Sequence, residues 1–70
     1  MQPNFVICIN NEGYEASLEK GKVYQYVEDD IAEERDFIRV VDESGEDYLF
    51  PKEFFVRIQL PREVEKALVA

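Results

Sequence analysis

The sequence has no histidine, no tryptophan and a single cysteine, Cys8. Histidine is the side chain that most often exchanges protons near neutral pH, and it is the commonest transition-metal ligand, so its absence argues against catalysis. One cysteine can form no disulfide within the chain and cannot build a cysteine-rich zinc site. We therefore expect a fold held by packing alone, with no metal or cofactor, in a protein that is not an enzyme.

Long hydrophobic runs are also missing. The longest is the run of residues 5–9, whereas a membrane-spanning helix needs about 20 apolar residues. Residues 1–4 lack the basic start of a signal peptide. Cys8 lies inside the apolar run, where a thiol more often behaves as a small buried hydrophobe than as a nucleophile. These features predict a cytoplasmic protein.

Basic residues are scarce relative to acids. Sixteen Asp and Glu oppose eight Lys and Arg, which gives a formal net charge of −8 at pH 7. Such a chain repels phosphate backbones and anionic lipid headgroups, so we expect neither nucleic acid nor a membrane as a partner. The acids concentrate in residues 28–36 and 42–47. Crowded carboxylates raise one another's pKa, and from this we expect mild acid and added salt to stabilise the fold.

What the sequence does contain is enough apolar material for one core. The chain has 70 residues, 46% of them hydrophobic, including five Phe and four Tyr. A chain of this size buries only about 60% of its unfolded surface, which leaves room for a single domain over residues 1–70. We expect a mainly β fold, with a five-stranded barrel over residues 5–59 and a short C-terminal α-helix over residues 61–69.

Apolar and β-branched runs separated by turn residues predict five strands. They cover residues 5–9, 22–28, 37–41, 46–50 and 55–59. Residues 10–21 form a long polar loop, and residues 28–36 form an acidic loop whose self-repulsion predicts an exposed and mobile segment. Gly45 lies in a short connection between two strand-like runs, which predicts a hairpin. Pro51 fixes φ and suits a single helical turn after the fourth strand.

The C-terminal segment has the features of a short helix. Pro61 takes the first helical position, and Glu63 lies in the first turn. Val64 and Leu68 are spaced i,i+4 on one face. Because a helix of about ten residues is marginal alone, we expect Leu60, Val64 and Leu68 to lie either against the barrel or against a partner.

The order of these elements, with its hairpin and helical turn, resembles the SH3-like barrel. Residues 18–24, Leu-Glu-Lys-Gly-Lys-Val-Tyr, resemble the diverging turn before the second strand of that fold, with Gly21 supplying its unusual dihedral. Residues 45–56 resemble the distal hairpin, the fourth strand and the Pro-x-x-aromatic turn. The resemblance covers residues 5–58, and the same strand order occurs in chromo-like and Tudor-like barrels. The sequence is also similar to short bacterial proteins of this barrel type.

SH3 domains bind proline-rich peptides through an aromatic groove. The resemblance places Pro51 and Phe54 at matching positions, with Tyr14 nearby. Phe37 stands where those domains carry a tryptophan, and residues 9–11 replace the aromatic motif of their first strand. These departures argue against a proline-rich ligand.

The aromatic side chains outnumber what one barrel interior of this size can hold, so some of them must lie at the surface. An exposed aromatic strip beside acidic loops suits a basic, apolar partner surface. The candidate partner-binding face consists of Tyr14, Phe37, Pro51, Phe54, Asp29, Asp30, Glu33 and Glu34. We therefore predict a bacterial protein–protein interaction module or small regulatory subunit. An alternative for the aromatic residues is that the tyrosines simply cover the edge of the core. An alternative for the function is an acidic mimic that inhibits a DNA- or RNA-binding protein.

Four carboxylates, those of Asp42, Glu43, Glu46 and Asp47, surround Gly45 at the predicted hairpin tip. Carboxylate oxygens on a turn can hold calcium, but the spacing differs from that of an EF-hand loop. The simpler interpretation is a solvated hairpin tip whose acids add solubility. We expect no metal site here.

Overall fold

The computed structural model describes residues 4–69, and the side chains of residues 4–68. Its strands are β1 (Asn4–Cys8), β2 (Val23–Val27), β3 (Phe37–Val41), β4 (Asp47–Pro51) and β5 (Phe55–Ile58), and its helices are α1 (Asp30–Glu34), a 3-10 turn (Lys52–Phe54) and α2 (Arg62–Val69). The mainly β class with a short C-terminal helix is confirmed. Residues 1–3 and Ala70, which the predicted domain includes, lie outside the described residues.

The five strands form one antiparallel sheet in the order β4-β3-β2-β1-β5. Strands that follow each other from β1 to β4 pair as neighbours, and β5 returns to lie beside β1, with Phe5 opposite Ile58. Among the described residues, β4 and β5 occupy the two edges and do not pair with each other. The sheet is therefore a small, loose barrel that hydrogen bonds do not close.

One cluster of buried side chains fills the interior of the sheet. It comprises Val6, Cys8, Leu18, Tyr24, Ile38, Val40, Phe50, Phe54 and Phe55. Alternation along β3 buries Ile38 and Val40 and leaves Phe37 and Arg39 on the other side. The prediction that Cys8 is a buried hydrophobe is confirmed.

The long loop between β1 and β2 folds back onto this core. Leu18 is almost completely buried, and the loop closes where Gly21 N donates to Cys8 O at 2.7 Å and Cys8 N donates to Lys22 O at 2.9 Å. Gly21 has φ +88°, a left-handed conformation that glycine adopts at little cost. The predicted polar loop is therefore an ordered arm that places Leu18 in the core.

The prediction that residues 28–36 form a loop is wrong in part, because Asp30–Glu34 form α1, although most of the segment is exposed as predicted. The Asp29 carboxylate accepts a hydrogen bond from Ala32 N at 3.1 Å and so caps the helix. Asp30 lies in the first turn, where the helix dipole favours negative charge. Ala32 is buried, and Asp36, with φ +62°, follows the end of the helix. Local capping and burial thus outweigh the repulsion expected from the composition.

The hairpin predicted around Gly45 is confirmed between β3 and β4. Val41 lies opposite Asp47 at its open end. In the loop, Asp42 N donates to Glu46 O and Gly45 N donates to Asp42 O, both at 3.0 Å. Gly45 has φ +84°, so this position requires the left-handed conformation that favours glycine.

Helix α2 begins at Arg62, one residue later than predicted, and Pro61 precedes its first turn. Leu60 is half-buried, but Val64 and Leu68 are exposed. Of the two alternatives predicted for Val64 and Leu68, packing against the barrel is therefore wrong, and contact with a partner remains a prediction. No helix within residues 4–69 is long and apolar enough to cross a membrane.

Candidate protein-interaction surface

The aromatic residues predicted for partner binding lie in two groups. Tyr14 belongs to the core side of the sheet, where its ring meets those of Phe50 and Phe54 edge-to-face at centroid distances of 5.3 and 5.9 Å. Phe54 is only 8% exposed, so it supports Tyr14 from the core and offers a partner little surface. Tyr14 is partly exposed and covers the edge of this aromatic cluster.

Phe37 and Pro51 form the second group. They lie opposite each other in the β3–β4 register. Their neighbours Ile38 and Phe50 are buried, so strand alternation turns Phe37 and Pro51 away from the core. Together with Phe55 they line a shallow depression of about 660 Å³. Four charged residues complete its lining: Arg35, Asp36, Lys52 and Glu53. Phe37 is 39% exposed there.

Asp29 connects α1 to the sheet. Besides capping the helix, its carboxylate pairs with Arg39 of β3, with 2.9 Å between Oδ2 and Nη2. Arg39 also reaches Asp47 of β4 at 3.2 Å. The hydrogen bond from Ala32 N–H, and then that from the Arg39 guanidinium, lower the pKa of Asp29. This carboxylate therefore has a structural role that the sequence did not reveal.

Glu33 bridges the open side of the sheet. It accepts hydrogen bonds from Lys52, which follows β4, and from Arg57 of β5, with 2.8 Å between Oε2 and the Arg57 Nη2. Lys52 and then Arg57 lower the pKa of Glu33. Asp30 and Glu34 are exposed and form no ion pair with any residue in the described part of the chain. Of the four predicted acids, these two remain available to a partner.

Two further depressions extend the one at Phe37. The first, of about 190 Å³, also includes Phe37 and has Tyr26 as its aromatic wall. The Arg57 guanidinium lies 5.3 Å from the centroid of the Tyr26 ring, a cation–π geometry. The second, of about 610 Å³, shares Tyr26 and Arg57 and continues past Phe5 and Ile58 toward α2. We refer to these three adjoining depressions, together with their lining residues, as the lateral groove.

Free carboxylates outnumber free cations along the lateral groove. The acids that form no ion pair with described residues are Glu28, Asp30, Asp36, Glu53 and Glu65, and the corresponding cations are Arg35 and Arg62. The other cations of the lining are already paired with Asp29 or Glu33. An aromatic floor with a negative rim can accept an apolar side chain next to a basic one.

Sequence reasoning missed Tyr26 and Arg57 as groove residues. The polar residues of segment 22–28 recur at every third position, which left its inward face ambiguous. The structure places Tyr26 opposite Val40, on the same face as Tyr24, and Arg57 reaches it from β5. The alternation of tyrosines at positions 24 and 26 was the one available signal, but the pairing of β5 with β1 could not be read from it.

The hairpin carboxylates are directed to separate partners. Asp42 accepts from Ser44, Glu43 from Lys22 and Tyr24, Glu46 from Tyr48, and Asp47 from Arg39. Within residues 4–69 the side chains form no cluster of three or more metal-ligating groups. The geometry therefore gives no support to the calcium alternative.

Comparison of the chain with models of protein families, with curated proteins and with solved structures finds no match in any of the three. The strand order and the lateral groove are therefore the basis for any statement about function. Fold alone does not assign function, since one small barrel architecture carries many unrelated activities.

Proposed function

We propose that this protein is a protein–protein interaction module of the SH3-like barrel type that binds a partner segment carrying apolar and basic side chains. The strand order, the β3–β4 hairpin and the 3-10 turn between β4 and β5 support the SH3-like assignment. The lateral groove supports the binding role. Its aromatic floor and negative rim match the chemistry of the proposed partner.

The observation that carries the proposal is the position of Phe37. It lines two adjoining depressions, faces away from the core and keeps more than a third of its surface exposed. An aromatic ring at the centre of a groove is the type of residue that dominates binding energy at interfaces. Asp30 lines one of these depressions and Asp36 lines the other, and both supply negative charge.

The alternative of an acidic nucleic-acid mimic has weaker support. A mimic needs carboxylates that are free to occupy a basic surface. In this structure Asp29, Glu33, Glu43 and Asp47 pair with cations of the same chain. Their charge is locally compensated, which favours a module that recognises side chains over one that imitates a phosphate backbone.

We further propose an adaptor or small regulatory subunit in a bacterial cytoplasm. The buried, unpaired thiol of Cys8 is compatible with a reducing compartment. The similarity to bacterial barrels noted from the sequence is what suggests the source.

Selection from a random peptide display library tests the proposed function. We expect the selected peptides to combine aromatic or aliphatic residues with Lys or Arg, and to lose about tenfold in affinity against Phe37→Ala, since truncating a central aromatic costs more than about 1 kcal/mol. Leu49→Ala is the matched control, because Leu49 is similarly exposed, at 43%, but lies outside the lateral groove. Thermal melts confirm that both variants fold. Selected peptides that are acidic, or that bind both variants equally, would refute the proposal.

A further inference from the structure

Helix α2 turns its polar side toward the sheet. Arg62 and Glu65 are three residues apart and so share a face, and both line the depression between α2 and the sheet. Val64 and Leu68 form an apolar stripe that is 42% and 49% exposed. With about 100° between successive helical residues, the centre of this stripe lies roughly 110° away from the face that lines this depression. The helix thus presents its apolar side to solvent.

The charges around the stripe are unequally distributed. Glu63 and Glu65 precede and follow Val64, about 100° to either side of it, so carboxylates flank the stripe on both edges. Arg62 and Lys66 are each two residues from Val64, which places them on the far side of the helix. The stripe is therefore apolar along its centre and negative along both of its edges.

These edges argue against a second copy of this chain as the occupant. If two α2 helices paired through their stripes, the carboxylates at positions 63 and 65 would meet the same carboxylates of the other copy. Like charges at close range are unfavourable, and each copy also carries a net charge of −8. A cationic partner removes both penalties.

We propose that the stripe of Val64 and Leu68 docks an amphipathic helix of another protein whose apolar face is flanked by Lys or Arg. Two residues spaced i,i+4 meet a facing helix as a pair of anchors, while Glu63 and Glu65 pair with the flanking cations. This surface does not include Phe37 and does not depend on the function proposed for the lateral groove, although Glu65 also lines the part of that groove next to α2. Because α2 has only eight residues, the complex is weak and electrostatically assisted.

The probe is a dye-labelled synthetic peptide of about 18 residues, long enough to be helical, with Leu and Lys arranged to give one apolar face. A peptide of the same composition with the order permuted has no such face and is the charge control. Fluorescence anisotropy gives the affinity for the intact protein. We expect binding of the amphipathic peptide to be at least about tenfold tighter than binding of the permuted one.

Protein variants assign the binding to α2. Leu68→Gln removes one anchor and keeps helix propensity, and we expect it to weaken binding about tenfold. Leu49→Gln is the matched control on the sheet and should change affinity less than about twofold. The double variant Glu63→Gln/Glu65→Gln should reduce the salt dependence of binding. The control double variant Glu12→Gln/Glu19→Gln removes the same charge elsewhere and should reduce it less.

Three results would overturn the proposal. The first is equal binding of the amphipathic and permuted peptides. The second is loss of binding in Phe37→Ala but not in Leu68→Gln, which would assign the peptide to the lateral groove and leave the proposed function standing. The third is a dimer in sedimentation equilibrium that Leu68→Gln dissociates, since this would make a second copy the occupant.

Discussion

The hydroxyl of Tyr24 ties the arm that precedes β2 to the hairpin loop between β3 and β4. It accepts a hydrogen bond from Glu19 N and donates one to Glu43 Oε1, both at 2.7 Å. The residue is 5% exposed, with its ring in the core. Tyr24→Phe keeps the ring and removes both hydrogen bonds, so this substitution tests how much the polar connection contributes to stability.

The expected cost of Tyr24→Phe follows from the two bonds. A neutral hydrogen bond contributes about 0.5–1.5 kcal/mol and one to a charged group about 1.5–3 kcal/mol. Glu43 is partly exposed and regains water when the hydroxyl leaves, so we expect a total loss of about 2–3 kcal/mol rather than the full sum. A chain of 70 residues has a total stability of about 4–10 kcal/mol. At about 4–8 °C per kcal/mol, the melting temperature should fall by roughly 8–24 °C.

Urea denaturation followed by circular dichroism measures this loss, and Tyr48→Phe is the control. The Tyr48 hydroxyl donates to Glu46 at 2.6 Å, but Tyr48 is exposed. Deleting an exposed polar contact of this kind should cost less than about 0.5 kcal/mol. Equal and small losses in the two variants would show that the two hydrogen bonds of the Tyr24 hydroxyl contribute little to stability.

Titration of the same hydroxyl gives a second readout. Burial, followed by the hydrogen bond to Glu43, raises the pKa of Tyr24 from 10.0 to about 12. Because the folded pKa lies above the unfolded one, the stability it contributes is present below about pH 10 and is lost as pH rises toward 12. Tyr24→Phe should therefore make the alkaline loss of stability shallower. An unchanged alkaline limb would contradict the burial of the hydroxyl.

Three further predictions concern acid, the core and the hairpin. Hydrogen bonds lower the pKa values of Asp29, Glu33 and Glu43. The stability that these carboxylates contribute is therefore present above their unfolded pKa values and is lost as pH falls below about 4. Higher urea midpoints at about pH 4 than at about pH 7 would contradict this. Phe50→Ala should cost about 3–5 kcal/mol, because Phe50 is 2% exposed, and a loss below about 1 kcal/mol in urea denaturation would place it outside the core. Gly45→Val should lower the melting temperature more than Gly45→Asn, because φ +84° strains a β-branched residue most, and equal melts would argue against this backbone conformation.

The acid prediction reverses the one made from the sequence. Crowding of acids in residues 28–36 suggested raised pKa values and stabilisation by mild acid. The structure instead brings Lys52 and Arg57 to Glu33 from 19 and 24 residues away, and the result is a lowered pKa. Sequence neighbours determine which charges are close along the chain, but strand pairing determines which are close in space.

The parts of the fold that the sequence predicted are those set by local constraints. Gly21 and Gly45 mark left-handed backbone positions, and the hairpin follows from its turn and the flanking β-branched runs. Helix α1 was missed because its capping residue, Asp29, is indistinguishable by composition from the acids around it, although it alone bonds Ala32 N.

Of the groove's aromatic residues, the sequence identified Phe37 and missed Tyr26. Phe37 was singled out because it stands where the SH3-like resemblance places a tryptophan, whereas Tyr26 becomes a groove residue only because Arg57 of β5 stacks on it. The ion pairs around the groove also determine which charges are available to a ligand. Cations already paired with Asp29 or Glu33 cannot attract acidic ligands, so the free carboxylates favour basic residues while Phe37 provides the apolar contact. At about 0.5 M salt the Debye length shortens to a few Å, which screens the attraction between the free carboxylates and basic residues of the ligand. The apolar contact with Phe37 is not screened. A groove ligand should therefore keep measurable affinity at this salt concentration.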